Sequence, residues 1–144
     1  MKVSRKAISG AVGTMMLAAT TVVASSPPAA AADSFSFEYV QTDWGYVINV
    51  VNNNWRDTAG RAVWTQDPSG SQPGDALSVN DELPDGYGIE AHLSTGRIAT
   101  TRGHKSPYST TVTGNLPEDQ RYSMRVCAVK GSFSKCSSKV SVYS

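Results

Sequence analysis

The sequence predicts an all-β domain behind an N-terminal leader, and three observations carry that reading. From residue 33 onward no window keeps apolar residues at i, i+3, i+4 and i+7 for three turns, so no long amphipathic helix is expected. Short alternating runs rich in Val, Ile, Thr, Tyr and Phe recur instead. Clusters of Gly, Pro, Asn and Asp separate these runs at close spacing, the pattern of a sandwich or barrel built from many short strands.

The leader comes first. Lys2, Arg5 and Lys6 form a positive region, an uncharged stretch runs from Ala7 to about Ala24, and small residues lead to Ala30-Ala31-Ala32. This is the layout of a secretory signal peptide over residues 1–32, with cleavage expected after Ala32. Gly, Ser and Thr dilute the apolar run, which argues against a retained anchor, and no Cys lies there to carry a lipid. No second apolar run of spanning length follows, so residues 33–144 are expected to be extracellular and free of the membrane.

Residues 33–144 have the length of one domain. They keep 10 of the 13 Lys and Arg and all 12 Asp and Glu, a balance with no general attraction to nucleic acid or anionic membrane. The charges are uneven. Residues 33–95 carry 10 acids against Arg56 and Arg61, whereas residues 96–144 carry 8 bases against Glu118 and Asp119. Either acidic and basic strands lie side by side and neutralise one another, or a basic face meets an acidic partner.

The strands are expected in this order. FSFEYV (35–40) and YVINVV (46–51) flank the turn-like QTDWG and form a hairpin; NNNWRDTAG is a loop and RAVWTQ (61–66) a third strand. After the connector DPSGSQPG come ALSV (76–79), the loop NDELPDG and GYGIEAHL (86–93). In the last of these Tyr87, Ile89, Ala91 and Leu93 share one face while Glu90 and His92 take the other. RIATT (97–101), the polar loop RGHKSP and YSTTVT (108–113) follow, and RYSMRVCAVK (121–130) with FSKCSSKVSVY (133–143) closes the chain as a hairpin.

That hairpin holds the only cysteines. With Gly131-Ser132 as its two-residue loop, Cys127 faces Cys136 at a non-hydrogen-bonded position, where Cα atoms approach to about 4.5 Å. That spacing accepts a disulfide, and an exported chain keeps one. Zinc takes three or four ligands, and only His92 and His104 are spare. Strict pairing would oppose Ser137, Lys139 and Ser141 to the apolar Tyr122, Met124 and Val126. A bulge after Cys136 is therefore predicted, shifting Val140 and Val142 onto that face.

ALSVNDELPDGYGIEAHL resembles the B strand, B–C loop and C strand of a fibronectin type III or related immunoglobulin-like domain, and YSTTVTGNLPEDQRYSMRVCAV resembles its E strand, E–F loop and F strand. Leu116 stands six residues before Tyr122, the spacing of that family's tyrosine corner, in which the Tyr hydroxyl bonds backbone upstream. The resemblance covers about residues 75–144 and implies an antiparallel β-sandwich with an extra N-terminal hairpin. Asn80 stands near where the family buries a Trp. The whole chain also resembles small secreted actinomycete proteins mostly without assigned function, so the likeness implies a fold and no activity.

No catalytic constellation is visible. His92 lies on an outward strand face and His104 in a basic loop, neither in a hydrolase motif. Asp67, Asp75, Asp81, Glu82 and Asp85 are spread over turn-rich loops, where ordinary turn formation competes with a carboxylate pair or a calcium site. No cofactor or metal site is expected, and no enzyme.

The aromatics are more informative. Phe35, Phe37, Tyr39, Trp44, Tyr46, Trp55 and Trp64 crowd the N-terminal third, and most are expected in the core. Trp44 and Trp55 sit in predicted loops, either folded back over the sandwich or held out as stacking surfaces. The expectation is a secreted, monomeric, non-catalytic binding module for an extracellular carbohydrate or protein. Its candidate ligand-binding residues are Trp44, Trp55, Arg102, His104 and Lys105. The alternative is an inhibitor that presents ELPDG or RGHKSP to an extracellular hydrolase.

Overall fold

Alternating residues become strands throughout the computed structural model, which describes residues 31–68, 70–71 and 73–144. The signal peptide predicted over 1–32 lies, except for Ala31 and Ala32, outside the described residues. Among the described residues ten strands form and no helix: β1 (Phe35–Thr42), β2 (Gly45–Asn52), β3 (Asp57–Thr65), β4 (Ala76–Asp81), β5 (Gly88–Leu93), β6 (Ile98–Thr100), β7 (Tyr108–Val112), β8 (Arg121–Lys130), β9 (Phe133–Cys136) and β10 (Val140–Tyr143). One antiparallel sheet runs β1-β2-β3-β4-β7 and the other β10-β8-β5-β6, with β9 also paired to β8.

The two sheets make an antiparallel β-sandwich, consistent with an immunoglobulin- or fibronectin type III-like fold. The strands likened to B and E, β4 and β7, are neighbours in one sheet, and those likened to C and F, β5 and β8, are neighbours in the other. The β1–β2 hairpin is the extra piece, and it extends the first sheet outward from β3. Residues Ala32–Ser144 make one compact unit.

Period two fills the space between the sheets. Ile48 and Val50, Ala62 and Trp64, and Leu77 and Val79 point inward from the first sheet; Ile89, Ala91, Met124 and Val126 meet them from the second. Trp64, in β3, fills the interior from the strand beside Asn80, whose side chain faces outward. The predicted face of Tyr87, Ile89, Ala91 and Leu93 is buried, and Glu90 and His92 lie on the other side.

The last hairpin pairs Lys130 with Phe133, Val129 with Ser134, Ala128 with Lys135 and Cys127 with Cys136. The two cysteines form a disulfide with Cα atoms 4.0 Å apart. Beyond them the register slips by one residue. Ser137 N still bonds the Val126 carbonyl at 2.8 Å, but Val140 pairs with Met124 and Val142 with Tyr122. The extra residue brings Val142 onto the buried side, as the hydrophobic pattern required.

Two local features differ from expectation. The loop read from NNNWRDTAG shrinks to a turn at Asn53–Arg56, with Arg56 at φ +56°, because a register shift between Val50 and Val51 takes up the extra residue and lets β3 start at Asp57. Leu116 and Tyr122 both pack half-buried against the core. The Tyr122 hydroxyl, however, makes no hydrogen bond among the described residues, and Leu116 N instead donates to Asp75 Oδ2 at 2.7 Å. The corner is thus held by a carboxylate from the β3–β4 connector.

Candidate functional site

Three connections meet at one end of the sandwich: β4 to β5, β6 to β7, and the β8–β9 turn. They enclose a cavity of about 530 Å³ walled by Asp81, Tyr87, Arg102, His104, Lys105 and Lys130, among others.

Asp81 is the last inward residue of β4, in phase with Leu77 and Val79, so the alternation that builds the core also buries this carboxylate to 3% exposure. Thr101 Oγ1 donates to its Oδ2 over a long 3.4 Å, while Oδ1 is buried with no partner among the described residues. Burial pushes the Asp81 pKa up to about 6; the nearby Asp85 carboxylate adds to the rise, and the Thr101 bond opposes it. Ser106 Oγ, in the same cavity wall, is also buried without a partner.

The rim is basic. Lys130 Nζ lies 4.5 Å from the centroid of the Tyr87 ring. That ring packs edge-on against Phe35 and Phe133, with centroids 4.9 and 5.4 Å away. Arg102 donates to the Gly131 carbonyl at 3.0 Å and approaches Glu90 Oε2 at 3.5 Å. Burial works against the Glu90 charge, but the Thr100 bond, Arg102 and His92 outweigh it and hold the carboxyl below its usual range. The His104 ring stacks on Tyr108, centroids 3.8 Å apart and nearly parallel. Lys105 and Lys130 take part in no ion pair among the described residues.

The structure therefore brings Arg102, His104 and Lys105 together in one cavity wall. Trp44 and Trp55 do not join them there. Trp55 sits in the β2–β3 turn at the same end, where Asn52 bonds the turn amides and also reaches Asp33 and Asp85 at 2.7 Å each. Trp44 sits in the β1–β2 turn at the opposite end, the eight residues of β2 away, or roughly 25 Å at the rise of a strand. Both residues are about half exposed, 43% and 52%, and neither belongs to the buried core.

The five loop acids do not gather into one site. Asp67 accepts from the Gln66 carboxamide, Asp75 turns to the Leu116 amide, Glu82 pairs with Arg61, Asp85 accepts from Asn52 and Tyr87 N, and of the five only Asp81 lines the cavity. Among the described residues no three His, Cys, Asp or Glu side chains gather as a metal site. The sequence reading sets Asp81 among the loop acids because it ends β4 at Val79; one more step of the same alternation turns Asp81 inward. By alternation alone Tyr87 reads as core, and Lys130 as the end of a hairpin strand. Compared with known proteins, the chain matches no protein-family model, no curated protein and no solved structure.

Proposed function

We propose that this protein is a secreted, non-catalytic binding module of fibronectin type III-like build, and that the cavity at its loop end takes an acidic extracellular carbohydrate. One observation carries the reading: Asp81 and Ser106, each holding a buried polar atom with no partner among the described residues, line a single cavity together with basic side chains. An unsatisfied buried polar atom costs about 1–3 kcal/mol, and a small turn of the side chain toward a ligand hydroxyl in the cavity would recover part of that. Asp81 Oδ1 accepts when ionised, and Ser106 Oγ can donate or accept, which matches the hydroxyls of a sugar. The cations at the rim, Arg102, Lys105 and Lys130, suit a carboxylate on the same ligand. The disulfide and the leader-like N-terminus support an extracellular setting.

Calorimetric titration of the purified protein with polygalacturonate and alginate oligosaccharides tests this, with dextran as the neutral control. Binding of an acidic saccharide, weakened about tenfold or more by Lys105→Glu and by raised salt, is expected. No binding of either acidic saccharide rejects the reading. Tight inhibition of an extracellular hydrolase by the loop of residues 102–107 would favour the inhibitor instead.

A further inference from the structure

The outer face of the first sheet differs in character from the loop end. Where β3, β4 and β7 lie side by side, the residues pointing away from the core are Val63 and Thr65, Ser78 and Asn80, and Ser109 and Thr111. With Trp44 they line a shallow groove of about 430 Å³, a volume within the range of small-ligand sites. None of the seven is charged. Solvated sheet faces ordinarily carry Lys, Glu or Arg. Arg61, which stands beside Asn80 on β3, is engaged in an ion pair with Glu82.

The groove combines one flat apolar surface with a set of neutral hydrogen-bonding groups. Trp44, 43% exposed, is its only aromatic. Across from it stand hydroxyls from Ser78, Thr111 and Ser109 and the carboxamide of Asn80, with Ser78 Oγ and Thr111 Oγ1 bonded to each other at 2.7 Å. The Trp44 backbone is pinned before any ligand arrives. Its carbonyl accepts from Gln66 N at 3.1 Å. The next residue, Gly45, lies so close to β3 that a Cβ there would fall 1.9 Å from the Trp64 carbonyl oxygen. A ring on a fixed backbone loses less freedom on binding than one on a free loop.

We infer that this groove is a second binding site, for a neutral oligosaccharide, independent of the loop-end cavity. A sugar ring has an apolar C–H face that packs on the electron-rich face of an indole, and an equatorial rim of hydroxyls that pair with Ser, Thr and Asn. The absence of charge in the groove disfavours acidic ligands and nucleic acid. A protein partner is a poorer fit, because interface centres use several buried aromatic, Met or Arg anchors, and this groove has one ring.

The test is affinity electrophoresis and tryptophan fluorescence titration of the purified protein with laminarin, xylan, glucomannan and chitohexaose. At least one of these is expected to retard the protein and shift its emission. Trp44→Ala should weaken that binding at least tenfold, and Thr111→Val, which removes one hydroxyl at constant shape, several-fold. Trp44→Phe keeps a smaller ring, guards against a folding artefact and should lie between Trp44→Ala and the unaltered protein. Lys105→Glu should leave neutral-sugar binding unchanged, which separates this site from the loop-end cavity. No binding to any of the four, or binding that survives Trp44→Ala, overturns the inference.

Discussion

The indole Nε1 of Trp64 donates to the main-chain carbonyl of Tyr143 at 2.7 Å, so one hydrogen bond runs from β3 in the first sheet to β10 in the second. The ring is wholly buried, and the Arg97 guanidinium lies 5.9 Å from it while bonding the carbonyls of Asp75 and Gly114. Packing between the sheets and closure by the C-terminal strand therefore share one side chain. Trp64→Phe keeps most of the volume but orphans the carbonyl, an expected cost of about 1–3 kcal/mol. Trp64→Ala adds a cavity and should cost about 3–5 kcal/mol. Urea unfolding followed by circular dichroism measures both, and equal losses for the two would show that the hydrogen bond contributes little.

Gly60 carries a different constraint. It lies in β3 beside the register shift, and a Cβ there would fall 2.1 Å from the Asn80 carbonyl oxygen and 2.7 Å from Ile89 Cγ1. The first neighbour is backbone and cannot swing aside, so Gly60→Ala has to part β3 from β4. A destabilisation of about 1–3 kcal/mol is expected. A thermal midpoint within error of the unaltered protein would mean that the two strands yield freely.

The cysteine pair closes a loop of ten residues at a hairpin end. On the chain-entropy model, reducing it should destabilise the protein by roughly 2–3 kcal/mol. The fold itself should survive, since β8 keeps its pairing with β5 on the other side. Denaturation midpoints with and without dithiothreitol decide this, and a far-ultraviolet spectrum unchanged on reduction is part of the expectation. Loss of the β signal would make the bond a requirement for folding.

Most of the fold was legible because its signals are local. A Gly-first turn set the register of the last hairpin, from Lys130–Phe133 to Cys127–Cys136, and the apolar pattern of Val140 and Val142 demanded the slip beyond it. The site was only half legible. Arg102, His104 and Lys105 are near in sequence and stay near in space. Trp44 and Trp55 are eleven residues apart, and pattern alone could not say that a full strand would hold them at opposite ends of a sheet. The buried state of Asp81 depends on where β4 ends, and the empty hydrogen-bonding position at its Oδ1 on how Thr101 and Asp85 pack around it. The tyrosine corner shows the converse: its spacing is present, but the Tyr122 hydroxyl makes no hydrogen bond among the described residues, and Leu116 N donates to Asp75, 41 residues away in sequence.

Asp81 makes stability depend on pH in a direction opposite to most carboxylates. Its pKa in the folded protein is about 6, against 3.8 for an unperturbed Asp, so the folded state keeps a proton that the unfolded chain has released. Between about pH 4 and pH 6 stability from this group therefore falls as pH rises, and the loss is complete above the folded pKa. Its size is at most about 3 kcal/mol, less wherever solvent in the cavity screens the charge. Glu90 acts oppositely, since its lowered pKa contributes stability that is lost on acidification, so the unaltered protein's own pH curve mixes the two. Asp81→Asn separates them. The variant cannot ionise at this position, so its stability relative to the unaltered protein should rise from pH 4 to pH 7. Urea midpoints at pH 4, 5, 6 and 7 on both proteins give that difference directly. A difference that stays flat across the range would mean that Asp81 is ionised at the lower pH already, and that its Oδ1 finds a hydrogen-bond donor in solution.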